Sequence, residues 1–390
     1  MMPRAILACW LLVTTLLALT TFRPARAVDH TTAGSAQLDY HLVGSKGFGN
    51  PRSSNSDVFD GFTIEAAVKL AVDISEHLSA NVKVCYGCHG FEADMAYFDL
   101  RAADEFNLRI GRFSPSFGNF NVRHDPANHK LSDKPLPYDM GRMLRKNVWN
   151  NGVLPAPFPD VGVELGGTHW FGETAQLDYA AYAVSGFRQS GPNPTDLNFQ
   201  ESHLPYYVDK NARPTVGTRL AVTFKLSSMA DATLGTSAMT GTYDQFNDLT
   251  YVIAGTDLAV RVERTTVRFE YVVRRQEFDV SNPALFKYDL APRNGDFFAK
   301  HGAFIELEHP IVRRLDAIWR ADGMYRTGNV LATSELTDAS SVLRGTFGLA
   351  LAVERNLRLK CSAELWQFSD PDRRGRRTEV SAHWGAVGTF

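Results

Sequence analysis

The chain has 390 residues, with 41 lysines and arginines against 43 acidic residues and a net charge of −2. A balanced charge gives no electrostatic basis for binding nucleic acid, so we do not expect that class of partner. The length suits one large β domain or two ordinary domains.

The first 27 residues have the three parts of an export signal. "MMPR" supplies a positive start, "AILACWLLVTTLLALTTF" an apolar core and "RPARA" a small-residue cleavage site before Val28. The alternative is an uncleaved membrane anchor, because the apolar run is long for a signal peptide. We expect cleavage, which leaves residues 28–390 as the exported domain. No later apolar run has the length of a transmembrane helix.

Most of the remaining sequence alternates between apolar and polar residues, with the period of two that is typical of strands. In "VGTRLAVTFK" (216–225), Val216, Leu220 and Phe224 share one face, whereas Arg219 and Lys225 share the other. Nearly every such segment carries charged residues on one face. This pattern favours a barrel with a lipid-facing outside and a wet lumen over a β-sandwich.

The alternation predicts sixteen strands, whose connections are alternately short and long. The predicted strands lie near 36–44, 61–74, 78–86, 91–102, 105–114, 160–170, 175–187, 214–226, 231–242, 249–263, 265–277, 298–308, 313–326, 342–354, 357–367 and 377–390. An even number of strands, short periplasmic turns and longer outer loops are typical of outer-membrane barrels. We therefore predict an all-β protein, a single transmembrane antiparallel β-barrel of about sixteen strands with a long loop after strand five.

One segment carries a resemblance to a known family. "EADMAYFDLRAADEFNLRIGRFSPSFG" (92–118) resembles the strand–turn–strand of sixteen-stranded outer-membrane porins of the phosphate-selective type, in which the second strand enters a long constriction loop. The last strand ends in Phe390 and resembles the targeting signal read by the bacterial barrel-assembly machinery. The resemblance implies an outer-membrane location, lipid and small solutes as partners, and a homotrimer. The lysine cluster of such porins is not recognisable, so phosphate selectivity is not implied.

A second motif points to a cofactor. "VCYGCHG" (84–90) contains C-x-x-C-H, the attachment signature of c-type haem. Cys85 and Cys88 would form the thioether links to one covalent haem c, and His89 would be the proximal iron ligand. The alternation of the preceding residues places Cys85 on the luminal face of its strand. His124 or His129, in the loop after strand five, is the candidate distal ligand.

Three other interpretations of this motif remain. A surface disulfide lacks the βαβ context in which such pairs usually occur. A zinc site lacks the usual four ligands. Coincidence is disfavoured, because cleavage of the signal leaves three cysteines and two of them have this spacing. The polar stretch "SDKPLPYDMGR" (132–142), farther along, is expected to be a solvated turn and rim.

Two functions follow from these patterns. The first is an outer-membrane haem protein that takes part in electron transfer, with periplasmic or surface cytochromes as partners, because one haem cannot bridge an apolar band about 25 Å tall. The alternative is a diffusion porin for small polar or anionic solutes, in which the haem motif is structural, sensory or unoccupied. Basic strand residues such as Arg109, Arg219 and Arg268 favour anions, offset by acidic residues such as Glu270 and Glu364. The simpler interpretation of these charges is the wet wall that any barrel needs. A five-coordinate haem that binds a gas or reduces peroxide is a weaker third idea. We do not expect an enzyme.

Overall fold

The computed structural model describes residues 29–43, 61–87, 90–139, 152–154, 156–188, 212–277, 297–328, 341–370 and 375–390. The predicted signal peptide (1–27) lies outside the described residues, and so do Cys88 and His89. In the part of the chain that the structure describes, no helix is both long enough and apolar enough to cross a membrane.

The described strands form one closed antiparallel barrel, in which each strand pairs with its neighbours in sequence and β1 closes on β16. The strands are β1 (Asp29–Val43), β2 (Gly61–Asp73), β3 (Leu78–Gly87), β4 (Gly90–Ala103), β5 (Phe106–Phe113), β6 (Asp160–Phe171), β7 (Ala175–Val184), β8 (Thr215–Ser227), β9 (Ala230–Thr242), β10 (Thr250–Val262), β11 (Thr265–Glu277), β12 (Phe297–Val312), β13 (Leu315–Gly328), β14 (Ser341–Glu354), β15 (Leu357–Asp370) and β16 (Gly375–Thr389). The prediction of an all-β barrel of about sixteen strands is confirmed.

The barrel is apolar outside and charged inside, as the alternation predicted. Leu220 and Phe224 on β8 and Phe269 on β11 are exposed on the outer face. Glu270, one residue farther along β11, is buried on the inner face. Successive side chains of a strand point to opposite faces, so the alternation of apolar and polar residues makes one face of the wall apolar and the other polar.

The largest differences from the predicted strand bounds are the start of β1 and the end of β12. β1 begins at Asp29 rather than near residue 36, and it pairs with β2 from Asp29 opposite Asp73. Residues 29–35 have small or polar side chains on both faces, so an apolar alternation cannot reveal them. β12 continues to Val312, beyond the predicted end at residue 308. Pro310 lies beside a register shift at the turn end of this strand, where a missing N–H is tolerated.

The lumen contains a hydrophobic core, which the alternation did not predict. Residues 114–139, here called the luminal loop, follow β5 and include two short 3-10 helices, Asn121–Arg123 and Leu136–Tyr138. Phe117 and Tyr138 of this loop pack with inward side chains of the strands such as Tyr251 and Phe304. Part of the lumen is therefore packed with apolar side chains rather than wet, because a loop distant in sequence covers the inner face of the strands.

The expectation of a solvated rim at residues 132–142 is wrong for the part that is described. All residues from 131 to 139 are buried. Leu136 and Tyr138 enter the apolar core, while Asp133 is buried among charged partners on the strands. The acidic Asp133 lies inside because Arg320 and Arg344 of the wall are its charged partners.

Candidate functional site

The luminal loop is attached to β11 by one carboxylate. Glu270 accepts hydrogen bonds from the backbone N–H of Asn119 at 2.9 Å and of Phe120 at 3.1 Å. It also accepts the hydroxyl of Tyr138 at 2.5 Å. Glu270 therefore fixes two separate parts of the loop to the same point of the wall.

Gly118 allows the loop to approach this carboxylate. Its φ of +63° lies in the left-handed region, where a Cβ causes strain. A Cβ built at this position would lie 2.1 Å from Oε1 of Glu270 and 2.6 Å from the hydroxyl of Tyr138. The N–H of Gly118 donates to the hydroxyl of Ser237 on β9 at 3.0 Å. The left-handed backbone conformation and the lack of room for a Cβ thus both require glycine at position 118.

A buried ion cluster attaches the second part of the loop to β13 and β14. Asp133 pairs with Arg320, and it lies 2.5 Å from Nη1 of Arg344. Arg344 also contacts Asp322 at 2.5 Å and donates to the backbone oxygen of Lys134 at 2.8 Å. Asp133, Asp322 and Arg344 have fully buried side chains. Removing one member of such a cluster leaves a buried charge without its partner, which is costly.

The middle of the loop is attached to β15 and β1. Lys360 donates to the backbone oxygen of Pro126 at 2.7 Å and to the side-chain oxygen of Gln37 at 2.9 Å. Gln37 donates in turn to the backbone oxygen of Ser132 at 3.4 Å. The loop therefore reaches strands that lie on either side of the β1–β16 closure.

A contact with β3 ties the loop to another part of the wall. Asp125 lies 2.6 Å from Nζ of Lys83, which also pairs with Asp94 at 2.8 Å. His124 donates from Nδ1 to the backbone oxygen of Asn121 at 2.7 Å, and its Nε2 lies 3.3 Å from Nζ of Lys83. Burial and the positive charge of Lys83 lower the pKa of His124. Both ring nitrogens of this candidate haem ligand are thus engaged with the protein.

The other candidate distal ligand, His129, is buried in the loop. Its Nδ1 donates to the backbone oxygen of Leu131 at 2.8 Å, while its Nε2 has no hydrogen-bond partner among the described residues. Burial and the positive charges of Lys360 and Lys134 hold the pKa of His129 well below its usual range. The ring is therefore neutral and part of the loop packing.

Cys85 lies on the luminal side of β3, as its parity predicts. Its thiol donates to Oε1 of Glu92 on β4 at 3.9 Å, while the next residue, Tyr86, is exposed on the outer face. The neighbouring luminal side chains, Lys83 and Asp94, are charged. A porphyrin ring needs an apolar slot, since it is a large apolar surface. The described luminal side chains around Cys85 are charged and do not form such a slot. Residues 88–89 of the motif lie outside the described residues.

The strand arginines expected to attract anions have acidic partners. Arg109 lies 3.0 Å from Glu164, and Arg219 lies 2.6 Å from Asp257. Arg268 lies 3.2 Å from Glu306 and 2.6 Å from Glu308. These pairs offset the positive charge on which the expected anion preference was based.

Residues 122–130 are the most accessible part of the luminal loop, here called its open face, although His124, Pro126 and His129 within it are buried. Val122 is 53% exposed, Asn128 is exposed, and Arg123 and Asp125 are half-buried. The strand pattern did not single out Arg123, because it lies in a 3-10 turn of the loop. The signal that could have found it is an arginine in the segment where the resemblance places a constriction loop.

Comparison with known proteins identifies the fold but no family. No family model matches the chain, and no curated protein matches its sequence. The outer membrane channel DcaP of Acinetobacter baumannii has a TM-score of 0.55 and 10% identity, over 95% of this chain and 99% of that chain. An anion-selective porin from Comamonas acidovorans has a TM-score of 0.55 and 11% identity, over 93% of this chain and 100% of that chain.

A third solved structure, OmpF of Salmonella typhi in complex with daunomycin, has a TM-score of 0.56 and 11% identity, over 93% of this chain and 97% of that chain. All three likenesses cover nearly the whole of both chains. At identities this low they show the shared sixteen-strand porin barrel and nothing finer.

Proposed function

We propose that the protein is an outer-membrane porin through which small polar solutes diffuse. The observation that carries the proposal is the luminal loop, which lies inside the barrel and is attached to β3, β11 and β13–β15 while its 122–130 face stays open. An apolar outside and a charged inside suit a barrel that spans a bilayer around a water path. The solved channels and porins with this fold support the same function.

The attachments imply a fixed constriction rather than a mobile lid. Glu270, Asp133 and Lys360 each hold a different part of the luminal loop, and all three are buried. A segment with many buried contacts opens rarely, because its local stability is high. The aperture beside the open face therefore has a constant width and selects solutes by size.

Swelling of liposomes tests this function. Purified protein in liposomes should admit small neutral sugars, at a rate that falls steeply as the sugar becomes larger. Liposomes with heat-denatured protein are the control. Swelling no faster than in that control, even with the smallest sugar, would contradict the proposal. Membrane fractionation of cells that express the full chain tests the outer-membrane location in parallel.

Three finer expectations remain predictions beside this proposal. The phosphate-selective type and the homotrimer rest on the resemblance alone. A covalent haem at Cys85 and Cys88, with His89 as iron ligand, rests on the motif alone. A pyridine haemochrome spectrum of the wild type, of Cys85→Ala and of Cys88→Ala tests the haem. A haem signal lost in both variants would favour electron transfer with periplasmic or surface cytochromes.

A further inference from the structure

The pairing of β1 with β16 closes the barrel without a turn that joins the two strands. Every other pair of neighbouring strands is consecutive in sequence, whereas β1 and β16 are the first and last strands of the barrel. Their register runs from Ser35 opposite Thr389 to Val43 opposite Ser381. Bringing together segments so distant in sequence costs more loop-closure entropy than joining two strands by a short turn. Side-chain contacts across this closure, here called the seam, therefore stabilise the barrel where no turn does.

Lys360 connects both sides of the seam with the luminal loop. It lies on β15, and its Nζ donates to the side-chain oxygen of Gln37 on β1 at 2.9 Å, across the intervening strand β16. The same group donates to two backbone oxygens of the loop, that of Pro126 at 2.7 Å and that of Leu131 at 3.3 Å. Gln37 donates in turn to the backbone oxygen of Ser132 at 3.4 Å. The loop thus bridges β15 and β1 from inside the barrel.

Gly385 of β16 leaves room for this bridge. It lies opposite Lys360 on one side and opposite Asp39 of β1 on the other, in the row of residues that the bridge crosses. A Cβ built at Gly385 would lie 2.2 Å from Oδ1 of Asp39 and 2.7 Å from Oγ of Ser132. The loop therefore lies directly against the backbone of the closing strand, and a side chain at position 385 would push it away.

A second line of contacts runs from the loop across the seam. Arg344 of β14 lies 2.5 Å from Asp133 of the loop and 3.4 Å from Glu364 of β15. Glu364 accepts a hydrogen bond from Nε2 of His383 on β16 at 3.0 Å. The ring of His383 packs edge-on against that of His41 on β1, with 4.5 Å between the ring centroids. All five side chains are buried, so little water competes for these contacts.

We propose that the luminal loop has a second function beside narrowing the channel, which is to hold the seam of the barrel closed from inside. Two separate lines of contacts, one through Lys360 and one through Arg344, connect the loop with β15, β16 and β1. A loop that leaves the wall gives up both lines, so the pairing of β1 with β16 weakens at the same time. The position of the loop and the closure of the barrel are therefore coupled. This inference goes beyond the porin function and does not depend on which solutes pass.

Hydrogen–deuterium exchange of the purified full-length protein in detergent, resolved strand by strand by mass spectrometry, tests the inference. Lys360→Met keeps a long side chain but removes the three hydrogen bonds that Nζ donates. Amide exchange in β1 and β16 should become about tenfold faster or more, because it follows the free energy of local opening and hydrogen bonds to charged groups are strong. Lys83→Met is the matched control, since Lys83 is also buried and holds the loop at β3, away from the seam. It should speed exchange in β3 and β4 and leave β1 and β16 unchanged.

Gly385→Ala tests the same inference without removing a charge or a hydrogen-bond donor. The added methyl group should displace the loop from β16 and speed exchange in β1 and β16. Gly345→Ala on β14 is its control, because a Cβ built at Gly345 would meet nothing within 4 Å.

The outcomes separate this inference from the porin function. Faster exchange at the seam in Lys360→Met and Gly385→Ala than in their controls supports it, and exchange equal to that of the controls overturns it. If Lys360→Met speeds exchange in all strands alike, the comparison of Gly385→Ala with Gly345→Ala decides in the same way. Liposome swelling by the wild type is measured independently, so a failure of this inference leaves the porin function standing.

Discussion

Two segments of the luminal loop, residues 131–139 and residues 122–130, differ in how deeply they are buried. Residues 131–139 are all buried, and their side chains enter either the apolar core or the ion cluster around Asp133. Residues 122–130 alternate between buried and accessible positions, and Val122 and Asn128 are exposed. The first segment behaves like the core of a soluble domain placed inside a barrel. Under the proposed porin function, the second segment is the surface that a passing solute would meet.

We therefore expect the buried segment to determine the stability of the loop, and the exposed residues of the other segment to determine which solutes pass. Substitutions in the buried segment should loosen the loop and change the width of the pore, because they remove contacts with the wall. Substitutions of exposed residues in the open segment should leave the loop in place and alter only what passes. The predictions below test whether that division holds, from the largest expected effect to the smallest.

Asp133→Asn should have the largest effect on stability. It leaves the buried Arg320 and Arg344 short of one negative charge, and we expect a loss of about 3 kcal/mol, the low end for a broken buried pair, because Asp322 remains as a partner. Denaturant unfolding of the reconstituted protein, followed by tryptophan fluorescence, measures the free energy of unfolding.

The released loop should also raise the single-channel conductance of Asp133→Asn. Asp231→Asn is the control, because it breaks an exposed pair with Arg261 and should cost at most about 1 kcal/mol. Equal losses in the two variants would mean that the cluster does not hold the loop.

Gly118→Ala should come next, with a loss of about 2–3 kcal/mol from left-handed strain and a weakened bond to Glu270. Gly172→Ala isolates the strain, because Gly172 has a φ of +65° and a Cβ there would meet nothing within 4 Å. The same denaturation assay compares the two variants. If Gly172→Ala costs as much as Gly118→Ala, the close approach of the loop to Glu270 is not a constraint.

Acidification should loosen the loop through His129. Because the pKa of His129 is lowered in the attached loop, a released loop binds more protons below about pH 6.5, its ordinary range. The stabilising contribution is therefore complete above pH 6.5 and is lost as the pH falls, by at most about 2 kcal/mol at pH 5 for one proton. The facing cations, Lys134 and Lys360, make the protonated ring still less favourable.

Comparison of the wild type with His129→Asn at pH 7.5 and pH 5 measures this contribution. The asparagine amide can donate to the backbone oxygen of Leu131 in place of Nδ1 but does not titrate. Protease cleavage of the loop should increase at pH 5 in the wild type and less in the variant. Identical increases would assign the acid response to other groups.

Asn128→Ala should have the smallest effect on stability. Asn128 lies exposed in the open segment, and a surface substitution of this kind changes the free energy of unfolding by about 0.5 kcal/mol or less. Denaturation measures that change, and bilayer recordings check that the conductance stays near that of the wild type. A loss comparable to that of Asp133→Asn would remove the distinction between the two segments.

The barrel could be predicted from the sequence because strand alternation is a local pattern. The outward Leu220 and the inward Arg219 differ by one position, and that alone assigns each to a face. The attachments of the loop could not be predicted in this way. Asp133 and Arg320 are 187 positions apart, so no local pattern connects them. "SDKPLPYDMGR" therefore suggested solvent, although its described part is buried.

The site was only partly visible in the sequence for the same reason. The luminal side of Cys85 followed from parity, but the charged neighbours Glu92 and Lys83 depend on strand pairing and on the loop. Arg123 belongs to no repeating pattern, because it lies in a 3-10 turn of the luminal loop. Local patterns thus predict the strands of the wall, whereas contacts between distant residues determine where the luminal loop lies.

Single-channel recording of the purified wild-type protein in planar bilayers is the most direct test of a fixed, loop-narrowed channel. We expect discrete current steps of uniform size at neutral pH, and larger or fluctuating steps in Asp133→Asn. Wild-type protein that inserts into the bilayer as a folded barrel but passes no current would contradict the central claim.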